Sequence, residues 1–233
     1  MNGFLVFGHR GAKGYVMENT IASIEYALNL GVNAIEIDVY RCASGELVVF
    51  HDETLERVST RVNRIEELSL AEIHLICLHG GYSIPTLKEV IDFISNRVVL
   101  NIELKGTDTA QEAFNCVEEA CAKGVFNKEN FIISSFHDEE LRSYRKLDAS
   151  IKIGVLTRND MEEDIQLAKE LNAYSLHPYY KQVDLVLINR LHQMNFKVFA
   201  FTVNEVDEIQ LFIQNEVDGI FCDYPDRAIH QLF

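Results

Sequence analysis

Eight short apolar runs, most of them separated by longer amphipathic segments, constrain this chain more than any other feature of its sequence. They read FLVFG (4–8), AIEIDVY (34–40), VVLNIELK (98–105), FIISS (131–135), KIGVL (152–156), AYSLH (173–177), KVFAFT (197–202) and GIFCD (219–223). Alternation of this kind argues for parallel strands joined by crossover helices. Eight is the number that a closed barrel requires, so the expected fold class is α/β, a (β/α)8 TIM-type barrel with a small insertion after the second strand. An open doubly wound sheet is the competing arrangement. A length of 233 residues suits a single barrel domain spanning 1–233.

The intervening segments carry helical signals. In NTIASIEYALNLG, Asn19 is placed to be the N-cap and Gly31 the residue just past the C-terminus, while Ile21, Ile24, Ala27 and Leu28 share one face. DEELRSYRKL, EDIQLAKELN, DLVLINRLHQMN and EVDEIQLFIQN repeat the pattern. One region departs from it. The Ser44-Gly45 turn between IEIDVYRCA and ELVVFHD reads as a strand extension or hairpin, followed by a polar insertion over about 52–85. Insertions after barrel strands are where active-site lids are found.

Charge narrows the function. Acidic residues number 36 against 21 basic ones, a formal charge of −15, which disfavours nucleic acid or an anionic membrane as partner because phosphate backbones need clustered Lys and Arg. Cys42, Cys77, Cys116, Cys121 and Cys222 are odd in number and show no C-x-x-C spacing, as expected of reduced thiols in a cytoplasmic protein. No run is long enough for a membrane span, so no stable membrane association is expected.

The chemistry concentrates at the ends of the runs. Side chains alternate along a strand, so in AIEIDVY Glu36 and Asp38 share a face opposite Ile35, Ile37 and Val39. The outer face of a barrel strand packs on helices and takes the aliphatic set, which turns both carboxylates inward. Glu103 and Lys105 repeat the arrangement in LNIELKG, opposite Ile102 and Leu104. Three carboxylates at one mouth suit a hard divalent cation, Mg²⁺ or Ca²⁺, whereas a solvated acidic face or charge balance by Lys105 needs no ion. FGHRG ends the first run and brings His9 and Arg10 to the same mouth, with Gly8 and Gly11 allowing close approach. His51, in VVFHDE, follows another apolar run, and two histidines flanking a phosphate suit general acid and base roles. His74, His79, His192 and His230 are expected to be structural, and His177 to be intermediate, able to line the pocket.

The stretch from GHRGAKGYVMENT through AIEIDVYRCASGELVVFHDETLERVST resembles the N-terminal signature of the glycerophosphodiester phosphodiesterase family, and IPTLKEV, NIELKG, SSF, FTVNE and VDGIFCDYPD continue the likeness over essentially the whole chain. The resemblance implies a divalent-cation-dependent barrel that hydrolyses small-molecule glycerophosphodiesters to glycerol 3-phosphate and an alcohol. It implies His9 and His51 as the acid/base pair, Glu36, Asp38 and Glu103 as metal ligands, and Arg10 and Lys105 as phosphate contacts. Glu18 in MENT matches a further family position, either orienting Arg10 or binding substrate. Met17 stands where the family has Pro, Ser44-Gly45 replaces Asp-Gly, and Phe201 occupies a position where Trp is common, keeping an apolar substrate-facing wall without an indole donor. Alternatives are a lysophospholipase-D-like specificity and a non-catalytic phosphodiester-binding barrel.

Overall fold

The computed structural model describes residues 3–157 and 160–232. Its strands are β1 (Leu5–His9), β2 (Ala34–Arg41), β3 (Leu47–Val49), β4 (Val99–Leu104), β5 (Phe131–Ser135), β6 (Lys152–Thr157), β7 (Ser175–Pro178), β8 (Lys197–Ala200) and β9 (Gly219–Cys222). The helices are α1 (Ile21–Asn29), α2 (Leu70–Ile73), α3 (Leu87–Ile94), α4 (Ala110–Ala122), α5 (Asp138–Leu147), α6 (Met161–Glu170), α7 (Leu185–Gln193), α8 (Val206–Gln214) and α9 (Pro225–Leu232). All strands but β3 pair in parallel, and β1 bonds to both β2 and β9, so eight strands close into a barrel. The expected TIM-type fold is the observed one. β3 is the hairpin extension expected from the Ser44-Gly45 turn, antiparallel to β2 with Val39 opposite Val49.

Alternation along each strand divides the core into layers. Val6, Ile35, Ile37, Val39, Leu100, Ile102 and Leu104 point outward into the main apolar cluster beneath the helices. Phe7, Ala34, Ile132, Phe199 and Phe221 point inward and form a separate cluster. There Phe7 stacks on Phe221 with ring centroids 4.5 Å apart. His177 belongs to this interior rather than to the pocket wall. It is fully buried, flanked by Phe199 and Phe221, and its Nε2 lies 2.8 Å from Ser175 Oγ. Burial lowers its pKa to about 3, so it is held neutral.

Helix ends follow the sequence signals with one shift. Thr20, not Asn19, caps α1, accepting from the Ser23 N–H at 3.1 Å. Asn19 is left-handed at φ 57° and turns its amide to Asp38 instead. Residues between β3 and α3 gather a second apolar cluster, with Leu55, Val58, Ile65, Ile73, Ile76, Leu78 and Ile84 packed near Tyr40 and Phe50. The insertion thus has packing of its own and is not a loose strap.

One carboxylate welds two helices. Glu140, buried in the first turn of α5, accepts from the backbone N–H of Asp108, Thr109 and Ala110 at 2.8, 3.0 and 2.8 Å, and from Thr109 Oγ1 at 2.9 Å. It supplies the cap that Thr109 does not give α4 itself. Glu140→Ala strands these donors in the interior and is expected to cost about 2–3 kcal/mol, read as a fall of several degrees in Tm by thermal denaturation. An unchanged Tm would remove Glu140 from the framework.

Candidate active site

The parallel register sets the site. His9 lies opposite Glu36 across β1 and β2, and Asp38 lies opposite Glu103 across β2 and β4. Because these strands run parallel, inward positions near their C-terminal ends converge at one mouth. There a cleft of about 180 Å³ is lined by His9, Arg10, Lys13, Glu36, His51, Glu103, Lys105, Phe136 and Phe201, among others.

Glu36, Asp38 and Glu103 are all buried, and one oxygen of each falls within 4.8 Å of the others. Glu36 Oε2 accepts from the Arg10 backbone N–H at 2.8 Å, whereas its Oε1 is buried without a hydrogen-bond partner among the described residues. Asp38 Oδ2 accepts from Asn19 Nδ2 at 2.9 Å and lies 3.2 Å from Arg10 Nε. Glu103 Oε1 is 3.1 Å from Lys105 Nζ. Burial, then the charges of Asp38 and Glu103, push the Glu36 carboxyl far above the usual carboxylate range. Burial and Asp38 raise Glu103 to about 7. An all-oxygen set with an orphaned acceptor and mutual repulsion fits a hard divalent cation.

Arg10 reaches this cluster through an unusual backbone. Its φ is 53°, in the left-handed region that non-glycine residues seldom adopt, and this turns its N–H onto Glu36. Gly8 and Gly11 make the bend possible. A Cβ on Gly8 would lie 2.6 Å from Gly11 O, and one on Gly11 2.5 Å from Ser23 Oγ.

Each histidine is held by a carboxylate. His9 Nδ1 is 2.6 Å from Asp223 Oδ1, and Asp223 Oδ2 also accepts from Asn204 Nδ2 at 2.9 Å. Burial opposes ionisation of Asp223, but the hydrogen bond and charge of His9 with the charge of Lys13 keep its carboxyl well below the usual range. Burial, joined by Arg10, lowers His9 to about 4 against the opposing pull of Asp223. His51 Nδ1 is 2.6 Å from Asp52 Oδ1, and its Nε2 is 3.3 Å from Lys105 Nζ. Burial depresses His51 as well. An ionised carboxylate on Nδ1 selects the tautomer that leaves Nε2 as the lone-pair nitrogen.

Seven of the nine residues that the sequence offers for the site, His9, Arg10, Glu36, His51, Glu103, Lys105 and Phe201, therefore line the cleft, and Asp38 lies beside them in the carboxylate cluster. Glu18 stands behind it, its Oε1 taking Arg10 Nη1 at 2.8 Å and Arg57 Nη2 at 2.6 Å, and its Oε2 taking Arg57 Nη1 at 2.9 Å. Phe201 packs edge-on against Phe136, with ring centroids 5.7 Å apart, to form an apolar wall. Asp52, Arg57, Lys13, Asn204 and Asp223 were not singled out, and Asn19 was read only as a helix cap. Asp52 adjoins His51 in FHDE, and Asp223 closes the last strand run, a position where a barrel places site residues; Arg57 and Asn204 lie within the family-like stretches HDETLERVST and FTVNE but have no periodic pattern that points to the site.

Glu18 gives a pH test. Burial would raise its carboxyl, but Arg57 and Arg10 outweigh burial and lower it from 4.5 to about 2. The stability it confers is therefore present above its ordinary value and is lost as pH falls from 4.5 towards about 2. The Tm of Glu18→Gln should lie below that of the parent at neutral pH, with the gap closing across that acid window. A gap independent of pH would contradict the ionic role.

Comparison with known proteins places this geometry in a lineage. The model of the "Glycerophosphoryl diester phosphodiesterase family" matches residues 9–227. A glycerophosphodiester phosphodiesterase of Caldanaerobacter subterraneus subsp. tengcongensis is 34% identical, the match covering 97% of this chain and 96% of the relative. One from Bacillus altitudinis is 31% identical, with 96% of each chain covered. A solved phosphodiesterase of Oleispira antarctica, in complex with the product sn-glycerol-3-phosphate, superposes with a TM-score of 0.90 at 27% identity, covering 99% of this chain and 97% of that one.

Proposed function

The chain belongs to the glycerophosphoryl diester phosphodiesterase family, and from that premise we propose that it hydrolyses glycerophosphodiesters to glycerol 3-phosphate and an alcohol, using a divalent cation and two histidines. The observation that carries this reading is the meeting of two carboxylate-held histidines, three buried carboxylates and two cations on one cleft. The glycerol 3-phosphate held by the Oleispira antarctica relative supports the same substrate class.

Glu36, Asp38 and Glu103 would hold Mg²⁺ or Ca²⁺. Bound there, the ion would supply Lewis-acid stabilisation of phosphate charge. Arg10 and Lys105 face the same cleft and neutralise phosphate oxygens as negative charge develops. His9 and His51 both present Nε2 as the working nitrogen, because Asp223 and Asp52 occupy Nδ1. One takes the proton of the attacking oxygen and the other, once protonated, gives a proton to the leaving alkoxide. Phe136 and Phe201 exclude water from one side of the cleft and offer apolar surface to the esterified groups. Glu18 has both oxygens engaged by arginines, which supports its orienting Arg10 over its touching substrate.

The barrel and its insertion act as one functional unit on small head-group diesters. Among the described residues no helix is long and apolar enough to cross a membrane.

Chelator-treated protein should release no glycerol 3-phosphate from glycerophosphocholine or glycerophosphoethanolamine until Mg²⁺ or Ca²⁺ is restored. His9→Ala and His51→Ala should each lower kcat by about 100-fold or more. Absence of product with either ion on either diester, in a folded protein, would sink the hydrolase reading. A direct binding measurement tests the ion site separately. The restored ion should raise the Tm of the parent protein, and Glu36→Gln should diminish that rise; an equal rise in both would place the ion elsewhere.

A further inference from the structure

We infer that Arg57, carried by the segment after β3, is a positioning residue: it ties the carboxylate that orients His51 to the carboxylate that holds Arg10. The inference rests on the reading of His51 and Arg10 given above and adds a residue that touches neither the cleft nor the reacting atoms.

The contacts form one unbroken chain. Arg57 Nε donates to Asp52 Oδ2 at 2.6 Å, while the other oxygen of Asp52 faces His51 Nδ1 at 2.6 Å. The two terminal nitrogens of Arg57 donate to the two oxygens of Glu18 at 2.6 and 2.9 Å. Glu18 in turn accepts from Arg10 Nη1 at 2.8 Å, and Arg10 Nε lies 3.2 Å from Asp38. A planar guanidinium can bridge two carboxylates at once through its fork and its Nε; an ammonium is a single point of charge and cannot.

Removal of Arg57 changes both ends. Asp52 Oδ2 loses its side-chain donor, freeing the carboxylate to rotate about the position that fixes the His51 tautomer. Glu18 Oε2, on a residue only 9% exposed, loses its partner, leaving Arg10 as the only cation on that carboxylate among the described residues. The charge pattern agrees, since burial opposes ionisation of Asp52 but the hydrogen bonds from Arg57 and His51 hold its carboxyl below the usual range.

Arg57 is also presented by a rigid turn. Leu55 and Val58, on either side of it, are buried in the insertion's apolar cluster. Ser59 N–H donates to Leu55 O at 2.9 Å, Leu55 N–H to Asn63 O at 3.1 Å, and His79 N–H to Val58 O at 2.8 Å. The insertion therefore works as a bracket for the site, coupling residues that follow β1, Arg10 and Glu18, to residues that follow β3, His51 and Asp52. The Arg57 side chain is itself 49% exposed, so a small solute can reach the space it fills.

The test compares Arg57→Ala and Arg57→Lys with the parent protein by histidine-¹⁵N NMR and by steady-state kinetics on glycerophosphocholine with Mg²⁺. In the parent, the resonance lost in His51→Gln should show protonated Nδ1 and unprotonated Nε2. In Arg57→Ala that signature should weaken towards mixed tautomers while the His9 signature, held by Asp223, stays. The kcat of Arg57→Ala should fall about 10- to 100-fold, with KM changing less. Millimolar guanidinium should restore part of this loss where sodium chloride of equal ionic strength does not. Arg57→Lys, which keeps the charge and so guards against simple misfolding, should show the same His51 change in milder form.

An unaltered His51 signature in both variants would overturn the inference, as would a kcat loss that follows Tm and ignores guanidinium. A parent protein that releases no glycerol 3-phosphate would defeat the functional reading alone, because the His51 signature still decides what Arg57 does.

Discussion

Three carboxylates forced into one dry space by strand geometry are the constraint around which the rest of the mouth is arranged. Glu36, Asp38 and Glu103 cannot turn outward, because alternation would then bring Ile35, Ile37 and Ile102 into the mouth and set charge beneath the helices. Like charges at this depth repel and lack water, so compensation must come from fixed partners or from an ion. The protein supplies part of it by bending the chain at Arg10 into a left-handed conformation, which gives Glu36 a backbone donor and sets a guanidinium beside Asp38. Strain at Arg10 and the close contacts at Gly8 and Gly11 are consequences of that need.

The histidines are held by the same logic carried one step outward. Each Nδ1 meets an aspartate, and each aspartate meets a second donor, Asn204 for Asp223 and Arg57 for Asp52. One pair closes the barrel, since Asp223 follows β9 and His9 ends β1, which bonds to β9. The other pair is tethered to the insertion, whose own apolar cluster stiffens it. The two histidines are thus fixed from two directions, and the interior beneath them is filled by Phe7, Phe199, Phe221 and the neutral His177.

The residues whose role follows from local pattern were legible before folding. Alternation in AIEIDVY and LNIELKG placed Glu36, Asp38 and Glu103 on inward faces, and the end of the first run placed His9 and Arg10 at the mouth. Asn19 shows where local pattern misleads. It has the chemistry of an N-cap and sits one residue before the residue that caps α1, because its amide is drawn to Asp38 by a contact nineteen positions away. His177 likewise ends a strand run, yet the register of β7 turns it into the barrel interior.

The sequence by itself determined the eight-stranded parallel architecture and the inward set of carboxylates, because period-two alternation and chain order are properties of consecutive residues. The tertiary structure alone decided which distant groups meet: Asp223 with His9 across 214 positions, Arg57 with Glu18 across 39, and Glu140 with the start of α4 across about thirty. Those pairings depend on barrel closure, strand register and the packing of the insertion. Polar side chains such as these carry no periodic signature, and their partners are fixed only when burial of the apolar layers brings the strand ends together.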